Sequence, residues 1–244
     1  MVISIYSHKG GTGKTTTTIN LGRVLKDKGY HVLLVDMDAQ ANLTYSLGVQ
    51  KTDVQSVNLS PESIITTQEG LDILPNYTTP QFLIDYEFPS VNALHTELGS
   101  CFANYDFVLI DCPPAMDMSV VNALLASDGI IFPVLLDVLS LEALNQAVSA
   151  INMLFNTHSH AVQFKYVLPV MVNPRRLLTA EVKKYIKGSF DLPVFENTIR
   201  MNVKTAEAPS HGVSVLEYAP NSNGAKDYTK ATDEFLNYIE GNSL

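Results

Sequence analysis

The segment HKGGTGKT, residues 8–15, has the ingredients for holding a chain of phosphates. A phosphate loop of the usual kind reads G-x-x-x-x-G-K-[ST]; Gly13, Lys14 and Thr15 fit it, and His8 replaces the first glycine. Gly10, Gly11 and Gly13, with Thr12 among them, let the backbone turn tightly and aim N–H groups at phosphate oxygens. The helix expected to start near Lys14 adds its positive end. Lys14 is then expected to reach the β- and γ-phosphates, the Thr15 hydroxyl to ligate Mg2+, and Thr16 to bond the α-phosphate. A second lysine, Lys9, has no use within that scheme, because Lys14 already occupies the place beside the terminal phosphates. Its expected use is outward, toward a phosphate bound by another subunit, supplying positive charge in trans as an arginine finger does.

Phosphoryl transfer also needs a group that orients the attacking water and carboxylates that serve the metal. Asp36 and Asp38, in VDMDAQANL, lie two residues apart, so that in an extended segment both face the γ-phosphate. Asp111, which ends FVLID, is the expected second metal acid, and Pro113 and Pro114 stiffen the turn behind it. That turn is suited to relay the state of the γ-phosphate to the helix expected near Asp117.

The elements that must position these groups are legible. Residues 2–7 (VISIYS) read as a strand ended by the glycine loop, and residues 15–29 carry apolar residues at helical spacing. HVLLVD (31–36), FVLID (107–111), GIIFPV (129–134) and YVLPVMV (166–172) are apolar without alternation, as parallel strands buried on both faces should be. Helical patterns fall at 90–103, 117–126, 140–155 and 179–187; LDILPN (71–76) is a further strand, and 225–240 an amphipathic helix. Alternating strand and helix predicts an α/β fold, a doubly wound, mostly parallel sheet flanked by helices, with ligands at the carboxyl ends of the strands. No repeat or linker interrupts residues 1–244, so one domain is expected.

The charge of -9 at pH 7 is unevenly spread. Residues 52–164 hold thirteen Asp and Glu and no Lys or Arg, whereas residues 165–230 hold ten Lys and Arg against six acids. The basic third is the part suited to nucleic acid. Cys101 and Cys112 are too few for a disulfide framework and are expected to be reduced packing residues. No leader pattern and no apolar run approaching ~18 residues is seen, so a cytoplasmic protein is expected. His158 and His160 (HSH) read as a polar loop rather than a metal site.

KGGTGKTT with its early lysine, VDMDAQANL, YDFVLIDCPP and EAPSHG together resemble the ParA and MinD group of deviant Walker P-loop ATPases, most closely the Soj-like ParA proteins. The resemblance runs from residue 2 to about 240 and is weakest over 53–91. It implies ATP and Mg2+ as cofactors and an ATP-bound sandwich homodimer. It further implies nonspecific DNA binding, a nucleoid-associated location, and slow hydrolysis stimulated by a ParB-like or other cargo adaptor. Under it, Lys9 is the signature lysine, Lys14 the loop lysine, Asp38 the water-positioning acid and Asp111 the Walker B acid, with Thr15, Asp38 and Asp111 serving the metal. Asn173, in MVNPR, corresponds to an asparagine near adenine, and Pro209, in EAPSHG, to the segment that closes over the base. Arg175 and Lys204 match positions that contact DNA phosphates; Arg176 adjoins the first, and Arg200 adjoins Met201, where relatives commonly carry arginine.

Other readings share the loop. A MinD-like membrane ATPase needs basic residues beside the apolar face of its last helix, but no Lys or Arg follows Lys230, so no membrane partner is expected. An iron–sulfur reductase needs subunit-bridging cysteines, for which Cys112 beside two prolines is ill placed. A ligase of the dethiobiotin synthetase kind has no need of Lys9, and a P-loop tyrosine kinase would want clustered tyrosines, whereas Tyr218, Tyr228 and Tyr238 lie ten apart. With a strand expected from residue 2, no amino-terminal helix-turn-helix and no operator-specific binding are expected.

Overall fold

Five of the apolar runs, at 2–7, 31–36, 107–111, 129–134 and 166–172, supply neighbouring parallel strands. The computed structural model describes residues 1–50, 60–76, 90–173, 185, 186, 188, 190 and 192–241. Its strands are β1 (Val2–Ile5), β2 (Val32–Asp36), β3 (Ile65–Thr66), β4 (Asp72–Leu74), β5 (Phe107–Asp111), β6 (Gly129–Leu135) and β7 (Phe164–Val170). They form one sheet in the order β3-β4-β2-β5-β1-β6-β7, in which all neighbours are parallel except the β3–β4 pair at the edge. The helices are α1 (Lys14–Asp27), α2 (Asn42–Ser46), α3 (Ala93–Phe102), α4 (Met118–Leu125), α5 (Val138–His158), α6 (Val203–Glu207), α7 (Val215–Tyr218) and α8 (Asn223–Gly241). The helix expected over 179–187 falls almost wholly outside the described residues.

The period of two in a strand divides each run between two cores. Ile3, Ile5, Val32, Leu34, Phe107 and Leu109 face the layer of α1 and α8. Leu33, Val35, Val108, Ile110, Ile130 and Phe132 face the layer of α3, α4 and α5. Helix α5 is long and apolar enough to cross a membrane by length and composition alone, with a mean hydropathy of 1.3, which the sequence reading did not anticipate. It lies instead along the sheet, burying Leu144, Ala147, Ile151 and Phe155. Helix α8 buries Tyr228, Ala231, Phe235 and Leu236, so its apolar face is already used. Both cysteines are free and buried.

Gly129 shows how tightly the first core closes. A Cβ there would run into the ring of Phe164, which is buried, stacked on Tyr166 at 5.1 Å and set edge-on to Phe235 at 5.7 Å. With no room to retreat, the ring would be forced off its rotamer. Gly129→Ala is expected to cost about 1–3 kcal/mol, read as a lowered thermal midpoint in calorimetry; an unchanged midpoint would refute the packing argument.

Candidate nucleotide site

The parallel register aligns the carboxyl ends of three strands. Asp111 of β5 pairs with Ile5 of β1 on one side and with Asp36 of β2 on the other. The loop after β1 therefore passes beside both acids before entering α1. Gly11 and Gly13 take positive φ values of 71° and 76°, a conformation that glycine adopts without penalty, and Gly13 caps α1. In the first turn of α1, the Thr15 hydroxyl donates to Asp111 Oδ2 at 2.6 Å. Asp111 Oδ1 is buried and finds no hydrogen-bond partner among the described residues. Burial, and next the neighbouring Asp36 charge, push the Asp111 carboxyl well above its ordinary range, against the Thr15 hydrogen bond and the Lys14 charge. A hydroxyl, an orphaned carboxylate oxygen and a buried ammonium in one place are a donor set that fits Mg2+ with phosphate.

The two loop lysines diverge. Lys14 is only 7% exposed, and its Nζ donates to the carbonyl oxygen of Lys9 at 3.3 Å. Burial lowers its pKa, while Asp111, Cys112 and Asp38 oppose that shift. A desolvated ammonium of this kind gains most from an incoming anion. The Lys9 side chain is 32% exposed and runs the other way, to the amino end of α5, where Nζ lies 3.1 Å from Ser140 Oγ and 3.5 Å from Asp137 Oδ1. Those partners in the same chain were not foreseen from the sequence. An acid with a serine three residues on, opening a helix, is a cap signature that could have flagged Asp137.

Asp36 and Asp38 have different surroundings: β2 ends at Asp36, and a turn follows Asp38 at residues 39 and 40. Asp36 is buried, its Oδ2 accepting from Thr44 N at 2.9 Å and Thr44 Oγ1 at 2.7 Å, its Oδ1 from Asp38 N at 3.2 Å. Burial pushes its carboxyl up to about 7, against those hydrogen bonds. Asp36 thus anchors α2 to the strand end. Asp38 remains half-exposed, its Oδ1 accepting from Gln40 N at 2.9 Å.

Residues 1–164 match a family described as an AAA domain. Over 96% of its length the chain is 36% identical to the sporulation initiation inhibitor protein Soj of Bacillus subtilis, covering 97% of that protein. The chain belongs to the Soj and ParA family of ATPases. It is also 32% identical to the chromosome-partitioning ATPase Soj of Thermus thermophilus, over 98% of this chain and 96% of that one. Among solved structures, the septum site-determining protein MinD of Pyrococcus horikoshii, complexed with Mg-ADP, superposes with a TM-score of 0.80 at 25% identity, covering 99% and 98% of the two chains.

In this Soj and ParA chain the remaining site residues come from elements far along the sequence from the phosphate loop. Asn173 is exposed just beyond β7, and Pro209 lies in the 3-10 turn Ala208–His211. The turn and α7 after it are tied down through the core. Asn20 of α1 accepts from Val215 N at 2.8 Å and donates to Thr16 O at 2.7 Å, while buried Glu69 accepts from Ser214 N and Oγ and pairs with Arg23. Met171, at the end of β7, sits with φ 51° and its Cε 3.7 Å from where a Cβ of Gly13 would be. Strained backbone of this kind clusters at functional sites, a signal invisible in the sequence.

The basic residues differ in availability. Arg175 and Arg176 lie outside the described residues. The Arg200 guanidinium is clamped by Asp227, at 2.7 Å from Nη2 to Oδ1 and 2.9 Å from Nε to Oδ2. Lys204 is more open; its Nζ lies 2.9 Å from Glu207 Oε2 and 5.4 Å from the Tyr218 ring centroid. Met201 and Val203 beside them are exposed.

Proposed function

We propose that this single domain is an ATP-hydrolysing partition switch, cytoplasmic and associated with the nucleoid. It pairs as an ATP-bound homodimer, binds DNA nonspecifically and releases it when a ParB-like or other cargo adaptor stimulates hydrolysis. The observation that carries the reading is the divergence of Lys14 and Lys9: one ammonium is buried at the loop's own phosphate position, the other directed away from it. A loop serving a small-molecule substrate within one chain has no use for the second.

In this reading the loop from Lys9 to Thr16 (Gly10, Gly11, Thr12, Gly13, Lys14, Thr15, Thr16) cradles the ATP phosphates, with Asn173 and Pro209 toward the base. Thr15, Asp38 and Asp111 would hold Mg2+, which supplies charge neutralisation at the phosphates. Lys14 stabilises charge on the terminal phosphates of its own site, Lys9 does so across the dimer, and Asp38 orients the attacking water. The turn 112–117, which leads from Asp111 to the Asp117 cap of α4, is placed to sense the γ-phosphate.

DNA binding would come from Lys204 together with Arg175 and Arg176, and from Arg200 only if Asp227 releases it. Pairing doubles the patch, and each phosphate neutralised releases counterions, so affinity should need ATP and fall with salt. Arg175→Glu combined with Lys204→Glu is expected to weaken DNA binding by about tenfold or more at low salt while dimerisation persists. Electrophoretic retardation with Mg-ATP checks the first and light scattering the second; retained binding would move the patch elsewhere. The MinD-like alternative, action at a membrane, is disfavoured because the apolar face of α8 is buried in the core.

A further inference from the structure

The turn Ala208–His211, which carries Pro209, is held from outside its own segment. Gly48 and Gly212 take positive φ values of 73° and 71°, and a Cβ on Gly212 would lie 2.9 Å from Gly48 Cα, so the turn is seated against the end of α2. The turn between β3 and β4 supplies the rest. Gln68 Nε2 donates to Gly212 O at 3.1 Å. Glu69, its side chain 2% exposed, holds Ser214 twice: Oε2 accepts from Ser214 Oγ at 2.7 Å, and Oε1 accepts from Ser214 N. Glu69 also accepts from Arg23 of α1, whose guanidinium reaches Glu217 of α7 at 3.2 Å. One buried carboxylate thus joins the helix that leaves the phosphate loop to the segment that follows Pro209.

We infer that Glu69 is a positioning residue for the base of the nucleotide: by fixing Ser214 against α1, it sets how far the Pro209 turn stands from the phosphate loop. This rests on the reading above that places Pro209 toward the base, and adds the group that keeps the turn there. A carboxylate only accepts, and the Ser214 N–H, the Ser214 hydroxyl and the Arg23 guanidinium all donate to it. Glutamine of the same shape brings an NH2 among those donors, so at least one contact is lost, and hydrogen bonds to a charged group are the strong kind. The phosphate loop keeps its own ties, from Thr15 to Asp111 and from Lys14 to the Lys9 carbonyl, neither of which involves Glu69.

The test gives the full chain two ligands in Mg2+: ATP, and inorganic tripolyphosphate, which has the phosphates without the base. By displacement of a fluorescent ATP analogue, Glu69→Gln is expected to bind ATP about tenfold more weakly, and tripolyphosphate as the unaltered chain does. Ser214→Ala removes the hydroxyl and leaves the backbone N–H; it should lose about threefold for ATP alone. It decides the matter by itself if calorimetry shows Glu69→Gln to be unfolded. Unchanged ATP affinity in the folded variants, or an equal loss for both ligands, would overturn the inference, since a general loosening of the fold has no reason to spare tripolyphosphate. Pro209→Ala probes the underlying reading separately. If that variant keeps the full preference of the unaltered chain for ATP over tripolyphosphate, Pro209 does not serve the base, and the role given to Glu69 falls with it.

Discussion

Lys9→Ala is expected to bind Mg-ATP about as well as the unaltered chain while losing about a hundredfold or more of its adaptor-stimulated hydrolysis and most of its ATP-dependent pairing. The asymmetry follows from where the two ammonium groups lie. Lys14 is buried beside Asp111, and its only recorded tie to residue 9 is to the backbone carbonyl, which alanine retains. The Lys9 side chain touches Asp137 and Ser140, away from that position. Deleting it therefore leaves the loop's own phosphate contacts in place and removes a charge supplied in trans, a role worth about 10³-fold or more where an arginine performs it. Equilibrium binding of a fluorescent ATP analogue, light scattering and phosphate release check the three parts. Unchanged ATP-dependent dimerisation would count decisively against the role given to Lys9.

Asp38→Ala should abolish measurable turnover, a loss of about 10²- to 10⁴-fold, and accumulate an ATP-bound dimer that remains on DNA. Folding is not expected to suffer. The Asp38 charge acts to raise both Asp36 and Asp111, which is a mutual repulsion among crowded carboxyl groups, and its removal relieves it. Its backbone N–H still donates to Asp36, and what is lost is the 2.9 Å contact with Gln40 N and the attraction to the Lys14 ammonium. A thermal midpoint equal to or above that of the unaltered chain, together with a dimer stable through gel filtration in Mg-ATP, is the expected pair of results. Normal turnover would show that another group orients the water.

How far a sequence carries can be judged from the acids. Asp111 was legible because an apolar run of β type ended on it, and parallel strands present their ligands at that end. The Asp36 and Asp38 pair was legible as two acids at a strand end, but nothing local shows that β2 stops at Asp36 and that Thr44 satisfies its carboxylate. Strand β3 and the short helices α2, α6 and α7 escaped notice for a related reason: segments of five residues or fewer carry too little periodicity to read. Glu69 belongs to no motif of the sequence. Its worth lies in holding Ser214 and Arg23, residues 145 and 46 positions away.

The sequence by itself determined the order of strands and helices, the glycine loop, the presence of two lysines in it, and the family to which they point. Those properties depend on residue types at short spacing, where backbone geometry leaves little choice. Tertiary structure alone decided which acid faces the loop and which is buried, that Arg200 is clamped by Asp227, and that Lys9 rests on the cap of α5. Each of those outcomes depends on a partner tens or more than a hundred positions distant, or on the residue at which a strand stops. The energies involved come from burial and charge pairing, which exist only once the chain has brought those residues together.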